Sequence, residues 1–275
     1  MGQPNSEETL PLRLITLNVR YAIKKTLLPN EHPWAVRCPR LAAQLRVATA
    51  GQQNTFICIQ EAQHQQLLDL QTELGPQWAH IGRGRADGEL DGEFSPVFYR
   101  GDHWDLQRTQ TYWLSPTPNT PSSAHKTSGE RVVVMSTHLD HRSSEARAES
   151  AKLLLRLARQ WQEEASAEHG YVPVFLGGDF NSGPEDEPHR ILTTGSDAMA
   201  DIKDLVPESR RYGNDITYTT FGEAEPTIID YLFVLDPRGI SFLNFAVLCN
   251  RFDDAIYYSD HRTVLADMEI PANKT

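Results

Sequence analysis

Phosphate and hard-cation chemistry needs carboxylates, amides and imidazoles brought together, and this sequence sets them where apolar runs stop. Asn18 closes LRLITL, Glu61 follows FICIQ, and His138 follows RVVVMST. Asp179 and Asn181 follow VPVFLGG, Asp230 sits inside TIIDYLFV, and Asp260 and His261 stand just before the last apolar run. Carboxylates are costly to bury unless they are paired or bind a cation. Groups of this kind at strand ends could converge on one metal site at one edge of a sheet sandwich. Mg2+ suits such a site, because it takes oxygen ligands and binds through one or two carboxylates. Mn2+ is its natural substitute. No His-x-x-x-His or His-Glu-x-x-His spacing points to zinc.

Each residue taken singly has a plainer use. An Asn at a strand end commonly serves a turn, and Gly-Asp-x-Asn could be an Asx turn. Glu61 could cap the helix that follows it. His138 alone could be a satisfied interior histidine. Asp230 is harder to account for, since an unpaired carboxylate in an apolar strand is penalised. The ordered set carries the argument, not any one member.

The elements that must position these residues read as alternating strands and helices. Strands are expected at 12–19, 56–60, 96–99, 104–114, 131–137, 172–176, 217–220, 228–235, 240–248 and 263–268, from apolar alternation or β-branched runs. Helices are expected at 33–50, 63–74 and 143–169, the last with Leu153, Leu154, Leu157, Ala158 and Trp161 on one face. Between strand and helix, GGDFNSGPEDEP reads as a loop. No repeat or linker divides the chain, so residues 1–275 are expected to form a single domain with residues 1–11 flexible. Strands outnumber helices, which argues for an α/β (α+β) fold of packed sheets flanked by helices.

Bulk properties set limits. The 275 residues carry 37 Asp and Glu against 26 Lys and Arg, a formal net charge of −11, so no global basic field draws the chain onto duplex nucleic acid. Cys38, Cys58 and Cys249 show neither a disulfide framework nor a zinc knuckle, and a reducing, cytoplasmic setting is expected. No signal peptide or membrane span is evident, although Met1, Gly2 and Ser6 fit the loose myristoylation pattern. Stable membrane insertion is not expected, and the chain is expected to be a monomer.

The motifs LITLNVRY, ICIQEA, SPVFYR, VVMSTHLDH, VPVFLGGDFNS, IIDYLFV and YSDHRTVLADM run in order from Leu14 to Met268. Together they resemble the endonuclease/exonuclease/phosphatase (deoxyribonuclease I-like) superfamily. The THLDH form, followed by EARAESAKLLL, is similar to a branch of microbial and fungal members. The resemblance implies a four-layer α/β sandwich, two mixed β-sheets packed face to face with helices outside. It implies Glu61 as the main metal ligand, with Asn18 and Asp260 nearby or bridged through water. Asp179 would orient or deprotonate the attacking water, and Asn181 would hold a phosphate oxygen. His261, oriented by Asp230, would bind the scissile phosphate or serve as base. His138 would stabilise charge on the phosphoryl group or help protonate the leaving oxygen. Arg100 and Asp140, in SPVFYR and THLDH, would join Asn181 and His138 in binding substrate.

Two departures from the pattern stand out. Many relatives carry an acidic residue soon after the first-strand Asn, and here Val19, Arg20, Tyr21 and Ala22 follow instead, which favours one metal over two. The stretch from Leu114 to Arg131 is also short, which puts in doubt an expected strand, and an arginine on it, before His138. The expected activity is divalent-metal-dependent phosphoester hydrolysis, as a phosphodiesterase or nuclease acting on short or single-stranded nucleic acid or nucleotide phosphates. The alternatives are a phosphomonoesterase or phospholipase C-like enzyme on inositol, sugar or lipid phosphates, and an inactive binding protein.

Overall fold

The structure, a computed structural model, describes residues 9–23, 26–112, 122–125, 129–222 and 225–272. Thirteen strands and five helices are assigned in it. In chain order these are β1 (Thr9–Asn18), α1 (Trp34–Thr49), β2 (Thr55–Gln60), α2 (His64–Leu74), β3 (Trp78–Ile81), β4 (Val97–Arg100) and β5 (Trp104–Arg108). Then come β6 (Ser122–His125), β7 (Arg131–His138), α3 (Ser144–His169), β8 (Val174–Asp179), α4 (Glu187–Thr193) and β9 (Met199–Asp201). The chain continues through α5 (Ile202–Leu205), β10 (Arg211–Gly213), β11 (Asp230–Leu235), β12 (Ser241–Val247) and β13 (Val264–Pro271).

One sheet has seven strands in the order β10-β12-β13-β1-β2-β4-β3, and the other has six in the order β5-β6-β7-β8-β11-β9. Both are mixed, for β1 runs parallel to β2 and antiparallel to β13, while β8 runs parallel to β7 and antiparallel to β11. Strand β1 shows why its sequence is apolar on both faces. Leu12 and Leu14 point into a core shared with Phe56, Val132, Phe175 and Leu232, where the two sheets meet. Ile15 and Leu17 point the other way, onto Leu41 and Leu45 of α1 and Leu67 of α2. A third core packs Met135, Leu176 and Phe233 against Leu154, Leu157 and Trp161 of α3. Three apolar layers between four layers of elements make the expected α/β sandwich.

Several expectations need correction. The amino-terminal stretch expected to lie outside the regular elements includes Thr9–Pro11, which pair with β13 as part of β1. A strand does intervene before β7: β6 pairs Ser123 with Val132 and Ala124 with Arg131. It is four residues long and carries no arginine, so it left little pattern to read. Strand β5 stops at Arg108, short of the expected Leu114. Residues 217–220 are no strand; Tyr218 makes only isolated bridges, and Thr220 and Phe221 turn the chain with φ of 48° and 55°. In GGDFNSGPEDEP, Gly177–Asp179 complete β8 and only residues 180–186 form a loop, before α4 begins at Glu187 with a proline in its first turn. The Met1, Gly2 and Ser6 pattern lies outside the described residues.

Candidate active site

Sheet register builds half of the site. His138 pairs with Asp179 across β7 and β8, and Asp179 pairs with Asp230 across β8 and β11. Partners in a ladder point to the same face, so one row of the six-stranded sheet presents an imidazole and two carboxylates side by side. Gly178 is needed just before it, because a Cβ there would stand 2.3 Å from the Thr137 carbonyl oxygen. The seven-stranded sheet supplies Asn18 at the end of β1 and Glu61 just past β2. Glu61 and Asn181 both turn the chain in left-handed conformations, with φ of 60° and 47°. Such strain in residues other than glycine concentrates at functional sites.

Asp179 is the centre of the arrangement. Its Oδ1 accepts the Asn181 N–H at 2.9 Å, and its Oδ2 accepts from Asn18 Nδ2 at 2.9 Å. The same Oδ2 lies 3.5 Å from His138 Nε2 and 3.6 Å from His261 Nε2. Asn18 bridges the two sheets, since Nδ2 also donates to Glu61 Oε1 at 3.0 Å. Asn181 gives Nδ2 to the Leu139 carbonyl at 2.9 Å and to His138 Nε2 at 3.1 Å. Asp230 holds His261 Nδ1 at 2.9 Å. Ser259 ties the His261 loop to β1, donating to the Asn18 carbonyl at 2.6 Å and accepting from His261 N at 3.2 Å.

Residues 15–261 match the Endonuclease/Exonuclease/phosphatase family. The chain belongs to that family. No curated protein sequence matches it. Among solved structures it is similar to an endonuclease/exonuclease/phosphatase from Bacteroides vulgatus, with 26% identity over 95% of this chain and 99% of that one and a TM-score of 0.80. A mannosyl-6-phosphatase from Bacteroides thetaiotaomicron aligns over 94% of this chain and 99% of its own, with 23% identity and a TM-score of 0.78. D. rerio TDP2 complexed with single strand DNA product aligns over 94% and 98%, with 14% identity and a TM-score of 0.66. Members of the endonuclease/exonuclease/phosphatase family are phosphoester hydrolases, and this chain is one.

Family enzymes generally depend on a divalent metal, and the donors here fit one. Ligand atoms of Glu61, His138 and Asp179 lie within 4.8 Å of one another, and so do those of Asp179, Asp230 and His261. Burial first, and then the neighbouring Glu61, push the Asp260 carboxyl above the usual range. Burial also raises Asp179, although His261 and His138 oppose it. Buried negative charge of this kind is what a bound cation offsets. Glu61 is held below its ordinary range, for His138 and the Asn18 hydrogen bond outweigh its burial. Burial alone would lower His261, but Asp230, Asp179 and Asp260 push it up to about 10.

Asn18, Glu61, His138, Asp179, Asn181, Asp230, Asp260 and His261 thus meet in one place. Arg100 does not. Strand β4 runs antiparallel to β2, with Phe56 opposite Tyr99, so Arg100 emerges at the opposite end of the sheet and pairs with Asp102 at 2.5 Å. Asp140 lies just past His138 and lines the cavity beside it, while its carboxylate also receives the Arg142 and Ser143 N–H groups, each at 2.7 Å. Arg20 and Glu93, not singled out at the sequence level, also reach the site. Arg20 follows Asn18 by two residues; its Nε is 3.4 Å from Glu31 and 4.0 Å from Asp260. Glu93 lies 3.9 Å from His138 Nδ1. Tyr218, an aromatic side chain that the sequence offers as a possible base-stacking face, sets its ring 4.7 Å from that of His261. A cavity of about 460 Å³ opens beside His138, lined by Arg83, Tyr112, Met135 and Thr137 among others.

Proposed function

We propose that this protein is a phosphomonoesterase that uses Mg2+ or Mn2+ to release phosphate from a small, polar organic alcohol such as a sugar. One observation carries the choice of substrate size. The helix arginines that could have formed a nucleic-acid surface are engaged elsewhere: Arg37 is buried, Arg40 pairs with Asp254 at 2.6 Å, and Arg46 pairs with Glu73 at 2.6 Å. Neutralising several backbone phosphates needs such cations free. The cavity beside His138 instead has the dimensions of a small-molecule site. The likeness to a mannosyl-6-phosphatase agrees with this reading.

Glu61 and Asp260, with Asn18 between the sheets, would hold the cation. When bound, it polarises the phosphoryl group and offsets the charge that develops there. Asp179 orients the attacking water and accepts its proton as the new P–O bond forms. His261 is held at Nδ1 by Asp230 and faces Asp179 through Nε2, so it sits between two carboxylates. It therefore carries both protons and binds a phosphoryl oxygen, which leaves Asp179 as the base. His138 accepts an Asn181 N–H at Nε2 in the resting arrangement. With both ring nitrogens protonated, His138 Nε2 would donate to the leaving oxygen as the P–O bond to the alcohol breaks.

The second reading, a phosphodiesterase on short or single-stranded nucleic acid, rests on Tyr218, whose ring beside His261 could stack a base. The two are separated by assaying hexose phosphates and nucleoside monophosphates beside single-stranded oligonucleotides with Mg2+ or Mn2+. Phosphate release from the monoesters supports the first reading. Cleavage confined to the oligonucleotides overturns it in favour of the second.

A further inference from the structure

One buried cation takes no part in these steps. Arg37, in the first turn of α1, is 1% exposed. Every hydrogen bond of its guanidinium ends on a backbone carbonyl. Nε donates to His32 at 2.9 Å, Nη1 to Val19 and to Tyr258 at 2.8 Å each, and Nη2 to Arg20 at 3.0 Å. Burial lowers its proton affinity to about 10, although Glu31 and Asp260 pull the other way. A charge placed so far from water is expensive, and an apolar side chain would fill the volume at lower cost. What the guanidinium supplies, and no apolar group can, is a planar fork that fixes several carbonyls at once.

The segments it joins are informative. Val19 and Arg20 directly follow Asn18, while Tyr258 is two residues before Asp260 and three before His261. The same junction is tied once more, by Ser259 Oγ on the Asn18 carbonyl, while Gln66 Nε2 of α2 separately holds the Arg20 carbonyl at 3.0 Å. We propose that Arg37 is a positioning residue, clamping the chain that leaves β1 to the chain that enters β13 and so setting the separation of the oxygen donors on either side of the cation site. Nothing in the clamp touches substrate. Its effect runs through Asn18 and Asp260, and it rests on the active-site reading given above.

The test compares the full-length chain with Arg37→Lys and Arg37→Ala. Lysine keeps the charge but cannot reach four carbonyls from one plane. Mn2+ binding is read by calorimetry and by electron paramagnetic resonance, beside kcat and KM for the best monoester. Supporting groups around metal ligands are worth about 10–100-fold in affinity, and a drop of that size is expected in Arg37→Lys, with kcat falling more than KM changes. Low concentrations of free guanidinium are expected to restore Mn2+ affinity to Arg37→Ala. A folded Arg37→Lys that melts lower yet binds Mn2+ like the parent would show a core residue and overturn the clamp.

If neither variant folds, hydrogen exchange on the parent chain decides. Mn2+ is expected to slow exchange at 19–21 and 258–261 together, and protection of only one of these segments overturns the proposal. A parent chain that neither binds Mn2+ nor hydrolyses any phosphoester removes the active-site reading itself, and the clamp with it. Binding and hydrolysis in the parent with an indifferent Arg37→Lys would remove the clamp alone.

Discussion

Asp230 grips His261 through both carboxylate oxygens, 2.9 and 3.1 Å from Nδ1. That grip fixes which ring nitrogen faces the reaction and favours the doubly protonated ring. The sign of its pH dependence follows. His261 is raised from an ordinary value near 6.5 to about 10. Its share of stability is therefore complete below about 6.5 and is lost as pH rises through about 10. In metal-free protein, urea unfolding is expected to show this loss on the alkaline side. In Asp230→Asn the loss moves to lower pH; an unchanged profile would sink the assignment.

Asp179→Asn should keep the fold and lose the base. General-base groups contribute about 10²–10⁴-fold, and kcat for phosphate release is expected to fall within that range with little change in melting. If the variant keeps full activity in saturating Mg2+, Asp179 is not the base.

Metal binding should be visible without turnover. A ligand at a hundred times its Kd stabilises by about 2.7 kcal/mol, and each kcal/mol moves Tm by about 2–4 °C in a chain approaching this size. Mn2+ is expected to raise Tm of EDTA-treated protein by several degrees, and Glu61→Gln to abolish most of the rise. Equal shifts in both would place the cation elsewhere.

Asn181 separates backbone strain from side-chain function. At φ 47° it occupies a conformation that costs other side chains about 1–2 kcal/mol. Asn181→Gly should relieve the backbone and still lose the amide, cutting kcat by about 10²–10³-fold if the amide stabilises the developing charge. Asn181→Ala should lose the same activity and melt lower than Asn181→Gly. Wild-type kcat in Asn181→Gly would reduce the residue to a turn former.

Gly178→Ala tests the strand row directly. Its Cβ would meet the Thr137 carbonyl at 2.3 Å and the Thr137 Cγ2 at 2.6 Å. Overpacking of this kind costs about 1–3 kcal/mol, so a lower melting temperature is expected together with weakened hydrolysis. A variant as stable as the parent would mean that β7 and β8 can part without consequence.

Much of this site could be read from the sequence, because long apolar runs announce strands and the polar residues that stop them announce strand ends. Asn18, Glu61, His138 and Asp179 all fell out of that logic. What strand direction decides was not legible. SPVFYR ends in a promising arginine, but β4 runs antiparallel to β2 and carries Arg100 away. Short edge strands such as β3, β9 and β10, of three or four residues, have too little alternation to stand out. The clamp was equally hidden, since Arg37 looks in sequence like Arg40 and Arg46 on the same helix. Only the fold shows that its neighbours are carbonyls and theirs are carboxylates.

The row formed by His138, Asp179 and Asp230 has a mechanical consequence. Its spacing is dictated by main-chain hydrogen bonds between three adjacent strands, so none of the three can shift alone without breaking a ladder. The proposed mechanism thus places its proton-transfer groups on a main-chain frame rather than on loops. Whatever gives way to accommodate a new substrate must be the turns and cavity walls around it. Under the proposed mechanism, the alcohol released is therefore set by those turns and walls, and the cleavage step by the strand row.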